Sequence, residues 1–204
     1  MKKALILTDI QYDFVPGGAL AVPKGDEIVP VANRLMPEYD LIIATRDWHP
    51  ADHKSFASRH PGKKIGEVIE LGGLKQVLWP DHCVQGTRGA ELVEGLNKKH
   101  IDKIIRKGTD PEIDSYSGFF DNDHRQSTGL GDFLKEQSVD EVHVIGLATD
   151  YCVKYTVLDS IGLGFNTFVI TEGCRGIDMN PGDCKKAVDE MKQAGAIIIT
   201  RKHK

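Results

Sequence analysis

Short apolar runs alternate along the chain with segments whose apolar positions recur every three or four residues. That alternation is the pattern of a parallel sheet joined by crossover helices. Ala4, Leu5, Ile6 and Leu7 are continuously apolar, as a strand buried on both faces requires. Residues 26–39 read as a helix with Ile28, Val31, Leu35 and Met36 on one stripe, Pro30 being tolerated only in its early part. Residues 41–44 form the second strand. Residues 47–87 then make a long irregular stretch rich in His, Gly and Pro, and so long a loop inside one domain is usually functional. A short helix is predicted over 91–96, a third strand over 103–107 and a helix over 130–137. The fourth strand, 142–146, runs at once into a turn and a helix carrying Val153, Val157 and Ile161 four residues apart. A fifth strand at 167–170, a helix from Pro181 to Gln193 ended by Gly195, and a sixth strand at 196–200 complete the series. The prediction is an α/β fold, one domain over residues 1–204, with an open six-stranded sheet.

In such sheets ligands bind beyond the carboxyl ends of the strands. Asp9 follows the first strand, Asp47 and His49 the second, Lys107 ends the third and Cys152 follows the fourth. All are expected on one rim. Cysteine attacks as a thiolate, which a helix N-terminus and a nearby ammonium both favour. Cys152 is therefore a candidate nucleophile, with Lys107 as the cation and Asp9 as the group that takes the thiol proton and returns it to a leaving amine. The backbone N–H groups at and just before Cys152 are free to receive an oxyanion. Singly, each residue has a plainer role: a buried small hydrophobe, a turn aspartate, a solvated lysine. Their shared rim is what joins them.

Asp47-x-His49 puts two ligand types on one side of a strand end, and His82 lies further along the same loop. A carboxylate with two imidazoles is a common catalytic setting for zinc or iron, and such donors accept several divalent ions. His53 is a candidate fourth ligand. His100, His124, His143 and His203 have no such company.

Composition narrows the partners. A net charge of −4 gives no reason to expect nucleic acid or anionic lipid. No apolar stretch reaches the ~18 residues of a membrane span, and no N-terminal signal is visible, so a cytoplasmic location is expected. The four cysteines form no C-x-x-C pair, which argues against a disulfide framework. The glycine pairs lack the strand-to-helix setting of a dinucleotide fingerprint. The partner is thus a small molecule, without nucleic acid or membrane, and self-association into a homo-oligomer is compatible with the sequence.

Asp9-x-Gln11-x-Asp13-Phe14, Asp47-Trp48-His49-Pro50, Trp79-Pro80-Asp81-His82-Cys83, Lys107-Gly108 and the run from Gly146 to Val153 together resemble the nicotinamidase/pyrazinamidase family of isochorismatase-like hydrolases. The cysteine segment alone would indicate only the superfamily. The resemblance implies a three-layer α/β/α fold with a mainly parallel sheet in Rossmann-like order. It implies a triad of Asp9, Lys107 and Cys152, and one divalent metal ion, zinc or iron, on Asp47, His49 and His82. Family members differ over a fourth protein ligand, and the short spacing here leaves His53 open as one. It implies a ring pocket lined by Phe14, Trp79 and Tyr116, and a cis peptide between Leu147 and Ala148 that turns the Ala148 N–H toward the oxyanion beside that of Cys152. The implied reaction converts nicotinamide to nicotinate and ammonia through a cysteine thioester, with pyrazinamide admitted to the same pocket. The rivals, an isochorismatase or an N-carbamoyl amidase, lack this metal loop.

Overall fold

The continuous apolar runs become the buried strands of a sheet in the computed structural model, which describes residues 1–200. The strands are β1 (Lys3–Thr8), β2 (Leu41–Asp47), a hairpin of β3 (Val68–Leu71) and β4 (Leu74–Val77), then β5 (Lys103–Lys107), β6 (Glu141–Leu147), β7 (Asn166–Arg175) and β8 (Ile197–Ile199). Six of them form one sheet in the order β5-β2-β1-β6-β7-β8, and every neighbouring pair is parallel. Counted by the six strands predicted from sequence, this is 3-2-1-4-5-6, the doubly wound order. Its direction reverses between β1 and β6, and that reversal opens a crevice at their carboxyl ends. β2 and β6 are buried at all seven of their residues, which explains why residues 41–44 of β2 read as an unbroken apolar run and why the polar Glu141 and His143 of β6 are buried too.

Helices α1 (Ile28–Leu35), α2 (Leu130–Glu136), α3 (Lys154–Gly162) and α4 (Asp183–Ala194) complete the layers. α1 buries Ile28, Val31, Ala32 and Leu35, and packs against β7. Full burial of a side chain such as Leu35 contributes about 2 kcal/mol. α3 packs against β6, β7 and α4.

Four predicted elements differ from the structure. Residues 91–96 are not a helix. So short a run cannot recover its nucleation cost, and its backbone is claimed elsewhere: Glu91 accepts from the Tyr12 N–H and Val93 donates to Ile10. The predicted helix 26–39 is α1 flanked by single tight turns at Gly25–Glu27 and Met36–Glu38, the second with Pro37 near its start. The irregular stretch contains the β3–β4 hairpin, joined by Gly72-Gly73, a dipeptide that favours two-residue hairpin loops. β7 runs on to Arg175, past the predicted end, because an irregularity in its pairing at Val144/Gly146 lets it rejoin β6. No helix of the described residues is long and apolar enough to cross a membrane.

Candidate active site

The rim expected from the sequence exists, and Lys107 is its centre. Strand pairing sets Lys107 opposite Asp47. The Lys107 Nζ lies 2.5 Å from Asp47 Oδ1, 2.9 Å from Asp9 Oδ2, 2.8 Å from the Ser115 carbonyl oxygen and 3.4 Å from Cys152 Sγ. The side chains of Lys107 and Asp9 are 0% exposed, and Cys152 is buried in the wide turn Thr149–Val153 between β6 and α3. Asp9 takes up a left-handed conformation, φ 49°, and the Thr45 hydroxyl donates to its Oδ1 at 2.6 Å. The Leu147–Ala148 peptide bond is cis.

Burial and charge divide these groups. Burial would lower the Lys107 pKa, but Asp47 and then Asp9 outweigh it and hold the ammonium well above its ordinary value. Burial would raise Asp47, but Lys107 first and His49 next hold it well below the usual carboxylate range. For Asp9 burial prevails over Lys107, and its pKa is raised. For Cys152 burial also prevails, with Asp9 and Asp47 adding to it against Lys107, so its pKa stands well above that of a free thiol. Burial and the two carboxylates thus favour the thiol form of Cys152 while Lys107 favours the thiolate, and Asp9 beside it has its own basicity raised.

A second group opens off the other oxygen of Asp47. Its Oδ2 is 3.6 Å from His49 Nε2 and 3.7 Å from His82 Nε2. His49 Nδ1 meets the Gly108 carbonyl and His82 Nδ1 the Pro80 carbonyl, each at 2.8 Å. A carbonyl only accepts, so both Nδ1 atoms carry hydrogen and both Nε2 atoms face inward, the arrangement that fixes imidazole ligands on metals. His49 Nε2 is buried without a hydrogen-bond partner among the described residues. Asp47 raises the His49 pKa against burial, so this position attracts a positive charge, whether proton or metal cation. One carboxylate and two imidazoles within 4.8 Å of one another fit a divalent ion.

His53 is brought beside this group but differs from it. It lies with His49 and Asp114 within ligand distance of a common centre. Its Nδ1 meets the Ser55 hydroxyl at 2.8 Å and the Ser55 backbone N–H at 3.1 Å, and its Nε2 is buried without a hydrogen-bond partner among the described residues. Burial lowers its pKa to about 4, so the ring is neutral. His124 instead pairs with Asp159 and His143 with Tyr39 and Glu141, away from the site, while His203 lies outside the described residues.

Above Cys152 a pocket of about 320 Å³, counting its open mouth, is lined by Phe14, Trp79, Tyr116 and Ala148 together with Asp47 and His82. The Trp79 indole N–H donates to the Tyr116 hydroxyl at 3.1 Å, and Gln76 donates to the same oxygen at 3.2 Å. Burial, reinforced by Asp114, holds the Tyr116 phenol well above its ordinary pKa. Phe14 stands edge-on to the His82 ring at 5.5 Å.

Several supporting residues escape a reading of the sequence. Gln11 is the exception, since it sits within the first motif: its amide donates to the Asp47 and Ala90 carbonyls and its oxygen accepts the Asp47 N–H. Asp13 accepts the Cys83 N–H at 2.7 Å and so braces the residue after His82. Thr45, Ser115, Asp114 and Ile177 reach the site only through tertiary packing, for which no local pattern exists, whereas Tyr151 stands next to Cys152 within the last motif.

Comparison with known proteins identifies the family. The isochorismatase domain model matches residues 3–203. The nicotinamidase of Escherichia coli (strain K12) is 52% identical over 202 residues, covering 97% of this chain and 94% of that protein. The yeast nicotinamidase bound to the inhibitor nicotinaldehyde has a TM-score of 0.92 at 34% identity, covering 98% of this chain and 100% of that one. The pyrazinamidase of Pyrococcus horikoshii in complex with zinc has a TM-score of 0.79 at 39% identity, with the same coverage. The chain belongs to the isochorismatase-domain family and, within it, to the nicotinamidase/pyrazinamidase group.

Proposed function

We propose that the chain is a nicotinamidase, hydrolysing nicotinamide to nicotinate and ammonia, with pyrazinamide also accepted. In this reading it acts in the cytoplasm, as one catalytic domain, in NAD salvage. The observation that carries it is one ammonium, Lys107, touching Asp9, Asp47 and Cys152 beneath an aromatic pocket. The ring enters between Phe14 and Trp79. Asp9 takes the proton from Cys152 Sγ as the sulfur bonds to the carboxamide carbon, and the backbone N–H groups of Ala148 and Cys152 receive the oxyanion. As the C–N bond breaks, Asp9 returns that proton to the nitrogen, and ammonia leaves a thioester. Water then attacks the thioester carbon, Asp9 takes its proton and passes it to the departing sulfur, and nicotinate is released. Lys107 holds both carboxylates in place through this proton traffic. Asp47, His49 and His82 would hold a divalent ion, zinc or iron, which when bound would supply a Lewis acid that orients the substrate and water.

Replacing Cys152 with alanine tests the assignment. Ammonia release from nicotinamide is expected to fall by on the order of 10⁴-fold or more. Release at the parent rate would remove Cys152 from the reaction.

A further inference from the structure

Between β7 and α4 the chain runs through residues 176–182 as a strap and brings Ile177 into the pocket lining. Ile177 is an apolar wall residue that the proposed reaction leaves without a role. Asp150, two residues before the nucleophile, is buried, and both its oxygens are spent on this strap. Oδ1 accepts the Ile177 N–H at 3.0 Å and Oδ2 the Asp178 N–H at 2.8 Å. The fit is close: a Cβ on Gly176 would stand 2.9 Å from Asp150 Oδ1 and 2.0 Å from Cys184 Sγ. At its far end the strap is pinned by Asp178, whose Oδ1 accepts the Cys184 N–H at 2.9 Å in the first turn of α4. Tyr151, between Asp150 and Cys152, reaches the strap again through its hydroxyl, 3.5 Å from Met179 sulfur. The turn that carries the nucleophile thus also carries the anchor of the wall at Ile177.

We propose that Ile177 is a specificity-determining residue that excludes ring-substituted pyridine carboxamides, and that Asp150 is the positioning residue that fixes this wall relative to Cys152. This rests on the nicotinamidase reading and names which members of that substrate class are refused. A charged acceptor bonded to two backbone N–H groups holds a loop more firmly than a neutral one. A rigid wall discriminates on single methyl groups, by roughly 10- to 200-fold in a well-packed pocket.

The test uses the full-length, metal-loaded protein and a set of nicotinamides methylated at each free ring carbon. The reading is kcat/KM for each relative to unsubstituted nicotinamide. Ile177→Ala is expected to raise that ratio by about 10-fold or more for at least one methylated substrate. Asp150→Asn keeps the side-chain volume but faces one backbone N–H with an amide N–H. It is expected to raise the ratio for the same substrate, and the double variant to gain no more than the larger single gain, since both release one wall. Gly176→Ala displaces the same strap and serves should Asp150→Asn not fold. Unchanged ratios in Ile177→Ala, or additive gains in the double variant, would overturn the proposal. Binding of the correspondingly methylated nicotinates, measured by calorimetry, reads the wall without turnover. Wild-type protein that discriminates among those acids yet releases no ammonia overturns the activity and leaves the wall assigned.

Discussion

Lys107 brings one positive charge to a buried site that holds two carboxylates and a thiol, and the roles of all four follow from that imbalance. Asp47, with the ammonium against it and His49 beside it, is held toward its ionised form, while burial pushes the pKa of both Asp9 and Cys152 up. Removing one member of a buried charged set leaves the others uncompensated, which costs about 3–5 kcal/mol. Lys107→Met should therefore destabilise the protein by that order in chemical denaturation, besides ending activity; unchanged stability would mean that the carboxylates are not held by this charge. The next residue gives a separate handle on the metal site. Gly108 has φ +63°, and a Cβ there would lie 2.4 Å from His49 Cε1, while its carbonyl fixes the His49 tautomer. Only glycine meets both demands. Gly108→Ala should weaken zinc binding by about 10- to 100-fold, the usual effect of losing a ligand's supporting hydrogen bond. Titration with a competing chelator reads this directly, and an unaltered affinity would place the ion away from His49.

At the scale of elements, the positions of Asp9 and Cys152 depend on how closely β1 and β6 run together at their carboxyl ends. Gly146 pairs with Thr8 there, and a Cβ on Gly146 would fall 2.1 Å from the Thr8 carbonyl oxygen. Its φ of +131° is also closed to other residues. Gly146→Ala should cost at least about 3 kcal/mol and move Asp9 away from Cys152. Loss of thermal stability together with loss of turnover is the expected result; a stable, active variant would show that the two strand ends do not set the site. The strands themselves were legible because burial on both faces leaves a continuous apolar run, as at residues 4–7 of β1 and 41–44 of β2. The rim residues were legible because parallel strands all end on the same side. The β3–β4 hairpin was not read despite its Gly72-Gly73 signal, since Val68 and Ile69 face outward enough to blur the alternation. The 91–96 segment misled because Leu92, Val93 and Leu96 are buried as a helix face would be, but by an extended path bridged to Gln11. The strap at Ile177 had no local signature, being defined by a carboxylate 27 residues earlier in the chain.

Across the whole molecule, Asp47 and His49 belong to the sheet edge of the site, whereas His82 arrives at the end of a long excursion that contains the hairpin and Trp79. The Gln11 bridge to Asp47 and Ala90, and the Asp13 bond to Cys83, close that excursion onto the segment after β1. An ion bound between His82 and the strand end would tie the same excursion a further time, and would also neutralise the inward faces of two buried imidazoles and a carboxylate. Because these groups come together only in the folded chain, the ion binds the native state and not the unfolded one. At a free concentration 100 times its dissociation constant it adds about 2.7 kcal/mol. For a protein of this size each kcal/mol moves the melting temperature by roughly 2–4 °C, so chelation should lower it by about 5–10 °C and zinc or iron(II) should restore it. The same treatment of Asp47→Asn separates the site from general metal effects, because that variant should show little shift with either ion. A melting temperature indifferent to chelation in the wild type, when metal analysis shows that the ion has been removed, would mean that the ion does not bind the native state in preference to the unfolded one, and would count against a site on Asp47, His49 and His82.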